Sequence, residues 1–302
     1  MLRLRMAPGL SAVLIVSLFL AGGVRADGTV DITDTVKRSF KVQAGGTLFL
    51  DIDRGNVDII SRSGSEVRVE VERVATTNDR SSAQRIFERH DLSIEERGSN
   101  VYIDSRYDRD DSFWSRMRSG DRLDVRVRVE IPERYNVEFS TGAGNVDLGD
   151  TAGRVHGRTG AGNIRIGAVS GSIDVASGSG NIAIEGALGQ VDANTGAGNI
   201  EIRSVRGEVR VNTGAGNIEV SITEQPENDS RLSTGAGNVT VHLRRGVGVD
   251  VNAESAMGTA STDYPLTVEG RWMKKSFSGS VNGGGPDLYM RAGVGNVVLR
   301  RL

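Results

Sequence analysis

Residues 141–239 repeat one phrase six times: Thr or Ser, Gly, Ala or Ser, Gly, Asn, then Val or Ile. The copies begin at Thr141, Thr159, Ser177, Thr195, Thr213 and Thr234; the first five are spaced by 18 residues and the sixth follows after 21. A fixed period specifies a stack of like units. One unit cannot bury its apolar face alone, and a neighbour of the same sequence can. Each unit has two strand-like halves, such as Asn163-Ile164-Arg165-Ile166 and Gly171-Ser172-Ile173-Asp174-Val175. Both alternate apolar and polar residues, the period-two signature of a strand with one buried face.

Stacked at a strand spacing of about 4.8 Å, equivalent residues form columns. One aliphatic column is Val146, Ile164, Ile182, Ile200, Ile218 and Val239; another is Val155, Ile173, Val191 and Val209. The paired glycines mark a corner that needs positive φ or close backbone approach. Asn145, Asn163, Asn181, Asn199, Asn217 and Asn238 are expected to stack as a structural amide ladder, each side chain bonding the coils above and below. The fold class predicted is all-β: a single-stranded parallel β-solenoid (β-helix) of about 18 residues per coil, preceded by a strand-rich region with one short helix.

The expected organisation is 1–26 signal peptide, 27–139 β-rich N-terminal region and cap, and 140–302 solenoid repeats with a C-terminal aromatic cap. Arg3 and Arg5 precede the apolar run 10–20, and Val24-Arg25-Ala26 places small residues at −3 and −1 of a cleavage site. An uncleaved anchor helix is the alternative, but the run is short of the roughly 20 residues a span needs. Cleavage would leave 34 of the 37 basic residues and all 39 acidic ones, a net charge of −5. That balance does not predict nucleic-acid binding. No second apolar stretch is long enough to span a membrane, so the chain is expected to be exported, to the periplasm or cell surface, with no transmembrane segment once mature. The 302 residues include no Cys, which excludes disulfides, thiolate metal sites and a Cys nucleophile.

Before the repeats, 66–74 and 123–131 alternate strictly, with Val67, Val69 and Val71 inward. Asp53-Arg54-Gly55-Asn56-Val57 reads as a worn first copy of the corner. A helix is expected from about Asp79 to His90, capped by Asn78 or Asp79, with Ala83 and Ile86 on one face, covering the open first coil. The segment 107–122 sets charges around Tyr107, Phe113, Trp114 and Met117. Tyr107, Phe113, Trp114, Arg116 and Arg118 form a candidate partner-binding loop, since Trp, Tyr and Arg dominate interface hot spots; the bland reading is a solvated hairpin loop. From Ser140 to Asp263 there is no Phe, Trp or Tyr, and Tyr264, Trp272, Phe277 and Tyr289 then read as the cap. The insertion Thr223–Asp229 should bulge outward, and Ala292-Gly293-Val294-Gly295-Asn296-Val297 is a last worn copy.

Catalytic and metal signatures are missing. His90, His156 and His242 have no ligand spacing, and no Gly-x-Ser-x-Gly elbow occurs. The Gly-Ala-Gly corner precedes a strand, so no helix N-terminus meets a phosphate. A calcium ladder would need a column of Asp, but here the column reads Asp147, Arg165, Ala183, Glu201, Glu219, Thr240. Asp174 and Asp192 stack between His156 and Arg210, which reads as a self-satisfied surface column or a small polar site. No cofactor is expected.

Taken together, the signal-like start, the repeated Thr-Gly-x-Gly-Asn-Ile and Gly-x-Val-x-Val phrases, and the ending Gly283-Gly284-Gly285-Pro286-Asp287-Leu288 with 293–297 resemble the bacterial "putative adhesin" family of β-strand-repeat envelope proteins. The resemblance covers most of residues 36–302. It implies a β-solenoid in the periplasm or at the cell surface, supplies no catalytic residues, and includes relatives associated with envelope stress. The expected function is a non-enzymatic, adhesin-like binding or scaffold module for an envelope polymer or protein partner. The alternatives are a carbohydrate-active enzyme on the same scaffold and an envelope-stress sensor. End-to-end self-association through an exposed strand is a further expectation.

Overall fold

The computed structural model describes residues 20–24, 30–107, 122–271 and 274–302, which fall into two compact units, Met1–Val146 and Asp147–Leu302. Both are built of β-strands, and the one helix of the described residues lies in the first. Among them no helix is long and apolar enough to cross a membrane.

The first unit contains β1 (Leu20–Val24), β2 (Val30–Lys41), β3 (Thr47–Arg54), β4 (Asn56–Arg62), β5 (Glu66–Thr77), α1 (Arg80–Glu88), β6 (His90–Arg97), β7 (Asn100–Tyr107), β8 (Arg122–Pro132) and β9 (Asn136–Ala143). Its strands run in two sheets, β1-β2-β5-β8-β4 and β9-β3-β7-β6. Parity explains the layering. Val67, Val69, Val71, Val127 and Val129 are buried. The alternate residues face outward and are ion-paired, as in Lys37–Glu70 at 2.9 Å and Arg126–Glu72 at 3.2 Å. β3 and β4 form a solenoid coil turned at Gly55, with β7, β8 and β9 parallel to it. In the worn corner Asn56 Oδ1 accepts the N–H of Asn145 at 3.0 Å.

α1 carries the chain from β5 in one sheet to β6, the edge strand of the other. Asp79 caps it by accepting the N–H of Ser82 at 2.8 Å, and the hydrogen bonds from Ser81 and Ser82 hold its carboxyl down at about 2. The buried helix residues are Ala83 and Phe87, one turn apart; Ile86 is half-buried. The expected signal peptide lies largely outside the described residues, and its Leu20–Val24 pairs antiparallel with β2.

The second unit contains β10 (Val146–Leu148), β11 (Val155–Ala161), β12 (Ile164–Val169), β13 (Ile173–Ser179), β14 (Ile182–Ala187), β15 (Val191–Ala197), β16 (Ile200–Val205), β17 (Val209–Ala215), β18 (Ile218–Ile222), β19 (Ser230–Ala236), β20 (Val239–Leu243), β21 (Val249–Met257), β22 (Ala260–Thr262), β23 (Val268–Arg271), β24 (Lys274–Val281), β25 (Asp287–Val294) and β26 (Val297–Arg301). One sheet runs β10-β12-β14-β16-β18-β20-β26-β22 and the other β23-β24-β21-β25-β19-β17-β15-β13-β11. Parallel register advances by one period: Val155 faces Ile173, Ile173 faces Val191, and Val191 faces Val209. Ile164, Ile182, Ile200, Ile218, Val239 and Val297 line the other sheet inside, all buried.

The corner explains why the hydroxyl residue, both glycines and the Asn recur in every copy of the phrase. Its second Gly holds a positive φ, +149° at Gly198, and its carbonyl points into the next coil. That buried carbonyl takes a hydroxyl from the next coil: Thr195 Oγ1 donates to Gly180 O and Thr213 Oγ1 to Gly198 O, both at 2.9 Å. The asparagines act through one bond upward. Each Oδ1 accepts the backbone N–H of the Asn in the coil above, as at Asn199–Asn181 and Asn217–Asn199, both 2.8 Å. An amide-to-amide bond joins Asn238 to Asn217 at 3.0 Å.

The chain leaves sequence order at its end. β25 and β26, which carry the last worn corner, stack directly on β19 and β20. The intervening residues form a further coil, β21 and β22, beyond them, with β24 and β23 antiparallel at the edge. Tyr264 and Phe277 are buried in this end region, and Tyr289 is half-buried on β25. Trp272 lies outside the described residues. The insertion 223–229 folds back rather than bulging: Pro226 is buried, and the Gln225 amide bonds both N and O of Gly248 at 2.8 Å.

Candidate functional site

One coil of the first unit is interrupted. β3 and β4 are in parallel register with β7 and β8, so that Ile52 faces Ser105 and Asn56 faces Arg126. Asn56 follows Ile52 by four residues, whereas Arg126 follows Ser105 by 21. The corner that glycine closes elsewhere is here replaced by a long segment rich in charge and aromatic rings. Of the candidate binding residues, Phe113, Trp114, Arg116 and Arg118 lie outside the described residues. Tyr107 stands at the segment's root and ties both of its ends. Its N–H donates to Asp53 Oδ2 at 3.0 Å and its hydroxyl to Leu123 O at 3.1 Å.

Behind Tyr107 lies a polar cluster that alternation anticipates only in part, since it turns Arg73 and Asp34 inward without pairing them with His90 or Ser105. The His90 ring meets the Tyr107 ring edge-on, centroids 5.2 Å apart. His90 Nε2 is 3.0 Å from Ser105 Oγ and its Nδ1 is 3.5 Å from Arg73 Nη1. Arg73, 5% exposed, pairs with Asp34, 2% exposed, through Nε at 2.9 Å and through Nη2. Its Nη1 donates to Phe87 O at 3.3 Å, and its guanidinium stands 5.2 Å from the Phe87 ring centre. Alongside, a cleft of about 310 Å³ is lined by Ile32, Arg80, Ala83, Gln84 and Phe87.

Ser105 and His90 stand at the distance of a nucleophile and its base, but the proton is on the wrong side. Guanidinium only donates, so Nδ1 must be the acceptor and Nε2–H donates to the serine oxygen. A base for Ser105 would need Nε2 free, and a triad would need a carboxylate, not Arg73, at Nδ1. Ser105 is also fully buried. The arrangement orders a fold and activates no nucleophile.

Burial and then the Arg73 charge push His90 down to about 4, with Asp53 opposing them. Against the ordinary value of 6.5, the unfolded chain takes up this proton first. The neutral histidine's contribution is therefore complete above about pH 6.5 and lost as pH falls towards 4, roughly 3 kcal/mol in all. Urea unfolding between pH 7.5 and 4.5 is expected to show that loss in the native chain and a flatter profile in His90→Gln. Equal slopes in both would remove His90 as the cause.

The solenoid columns carry paired surface charge. His156 Nδ1 lies 3.0 Å from Asp174 Oδ2, Arg165 pairs with Asp147 at 3.2 Å, and Arg203 joins Glu185 and Glu201 at 2.8 and 2.9 Å. Asp192 follows Asp174 in register and Arg210 follows Asp192, so the sequence neighbours of that column are spatial ones. His242 contacts Glu219 at 3.2 Å. Among the described residues no three His, Asp or Glu side chains gather as metal ligands.

No curated protein matches the sequence. Solved structures are similar to it at low identity. A "putative adhesin" from Bacteroides fragilis is 10% identical over 89% of this chain and 97% of that one, with a TM-score of 0.44. A "putative lipid binding protein" from Parabacteroides distasonis is 11% identical over 89% and 96%, at 0.36. A "putative cell adhesion protein" from Clostridium sporogenes is 13% identical over 89% and 100%, at 0.27. The family model is the stronger finding, because it spans both units and the corner phrase that builds them. It matches residues 46–283, and the chain belongs to the Toastrack DUF4097 family.

Proposed function

We propose that this protein is a non-enzymatic binding module of the cell envelope, exported to the periplasm or cell surface, which engages an envelope polymer or protein partner through the segment between β7 and β8. The observation that carries the reading is the interrupted coil. One corner of a regular stack is opened by 17 extra residues, taken from the two spacings of 21 and 4, and its root is fastened by Tyr107 at both ends. An anchor with little freedom at its base reduces the ordering cost of binding, and the contact residues proposed for the segment are Phe113, Trp114, Arg116 and Arg118. The leader-like sequence supports export. Cleavage after Ala26 would remove β1 and leave β2 as an edge strand, whose Lys37, Arg38 and Lys41 discourage strand addition.

The test is co-sedimentation of the mature protein, beginning at Asp27, with peptidoglycan sacculi and separately with membrane vesicles. Saturable pelleting with one of them, reduced at least tenfold in the Trp114→Ala/Arg116→Ala/Arg118→Ala variant, is expected. Pelleting unchanged in that variant would move the site off the segment, and no pelleting with either fraction would discard an envelope polymer as partner.

A further inference from the structure

The two outward faces of the second unit differ. On the β10–β22 sheet, Arg165, Arg203 and His242 are taken up by carboxylates of their own face, and Arg300, in register with His242, is the exposed exception. On the other sheet, successive layers place Arg210 and Asn212 on β17, Arg231 and Ser233 on β19, and Tyr289 and Arg291 on β25. Arg210 is in register with Arg231, Asn212 with Ser233, Arg231 with Tyr289 and Ser233 with Arg291. Among the described residues Arg231 and Arg291 have no carboxylate partner. Nearby acids are engaged elsewhere: Glu208 with Arg210, Asp287 with the Tyr289 hydroxyl at 2.8 Å, Glu254, in register with Arg291, with Lys274 at 2.9 Å, and Asp192, in register with Arg210, with the Asn194 amide at 2.5 Å. Arg231 is not loose, because its guanidinium lies over the Tyr289 ring, 5.0 Å from the centre.

We infer that this face, centred on Arg231, Tyr289 and Arg291, is a docking surface for a linear acidic glycan. The reasoning is chemical. Two adjacent columns, Arg210–Arg231–Tyr289 and Asn212–Ser233–Arg291, step layer by layer at the strand spacing of about 4.8 Å, and donors recurring in this way suit an extended, repeating polymer. Guanidinium groups pair bidentately with carboxylates, and Asn212 and Ser233, in the column beside Arg210 and Arg231, suit hydroxyls. The exposed aliphatic side chains of these strands, Val294 on β25 and Met257 in register with it on β21, stand at the corner end and not between the arginines, whereas protein interfaces centre on a desolvated apolar core. The inference rests on the reading of this protein as a binding module. It concerns a surface separate from the β7–β8 segment and can fail without it.

The test is affinity electrophoresis of the mature protein through gels holding polygalacturonate, neutral dextran or polyglutamate. Retardation by polygalacturonate alone is expected, with apparent affinity falling at least tenfold in Arg231→Ala/Arg291→Ala and unchanged in the Trp114→Ala/Arg116→Ala/Arg118→Ala variant. A matching melting profile would show that the double variant is folded. Equal retardation by polyglutamate would overturn the glycan assignment. Retardation unchanged in the folded double variant, or absent altogether, would overturn the surface. Loss in the segment variant alone would return all binding to the segment.

Discussion

Replacing Gly198 by Ala will destabilise the second unit by about 3–5 kcal/mol, among the largest effects of any single added methyl in this chain. Two causes act together. The residue sits at φ +149°, a conformation that L side chains rarely adopt, and an added Cβ would stand 2.1 Å from Gly180 O. That oxygen cannot retreat cheaply, because it is backbone and already accepts the Thr195 hydroxyl. Moving it would leave a buried acceptor without its donor, a loss of about 1–3 kcal/mol by itself. The control is Ala197→Ser, at the exposed position just before, where Ser179 already stands in an equivalent place; it should change stability by less than about 0.5 kcal/mol. Urea titrations followed by circular dichroism measure both. The Gly198→Ala transition is expected to be early and broad, since a stack loses coils from a broken interface outward. A midpoint equal to that of the Ser control would mean that the coils are not in contact at this corner.

The same corner shows why so much of the fold was legible. Period and parity are local properties, and a parallel stack turns them directly into register: a shift of 18 residues is at once the sequence repeat and the hydrogen-bonded neighbour. Legibility fails where the chain stops following its own order. Residues 255–260, Ser-Ala-Met-Gly-Thr-Ala, are a seventh corner of this unit. Thr259 stands for Asn, and its N–H donates to Asn296 Oδ1 at 3.0 Å. Gly258 supplies the positive φ and Ser255 the hydroxyl, donated to Gly295 O at 2.7 Å. The functional groups match while the letters differ. Nothing local reveals that β25 inserts between β19 and β21, because that is decided by which edge the returning strand finds free.

The cluster behind Tyr107 was half legible. In β5 the inward parity that buries Val67, Val69 and Val71 continues through Arg73, and in β2 the parity of Ile32 continues through Asp34. A charge at an inward position is a signal in its own right, since it must find a partner or unfold the strand. That Asp34 faces Arg73 across β2 and β5 is a matter of register between strands 39 residues apart. His90 and Ser105 join them only once β6 has turned back on β7. The aromatic and charged texture of the β7–β8 segment was visible from composition. Its position at a solenoid corner was not, because the equivalent corner of the neighbouring coil lies some 50 residues upstream at Gly55.

Arg73→Met should therefore cost about 3–5 kcal/mol, the range for breaking one side of a buried ion pair. Methionine fills much of the volume, so the loss is electrostatic. Asp34 Oδ2 would lose its donors, while Oδ1 already has no hydrogen-bond partner among the described residues. Phe87 O would lose a bond near the end of α1. Arg73→Met with Asp34→Leu removes both charges and should recover most of the loss, since an apolar pair of similar volume is often as stable as the ion pair it replaces. The double-mutant cycle, read by urea unfolding at pH 7.5, separates the pair's coupling from packing. The single variant also tests the reading of His90. With the neighbouring cation gone, one of the two causes that depress His90 disappears, and its value should rise from about 4 towards the ordinary range. The acid loss of stability would then shrink in Arg73→Met, an outcome that damaged packing alone would not produce. A single variant as stable as the native chain would mean that Asp34 finds other donors. A loss not recovered in the double variant would assign the cluster to packing. In that event the root of the β7–β8 segment would depend on the Tyr107 hydrogen bonds and not on the charges behind it.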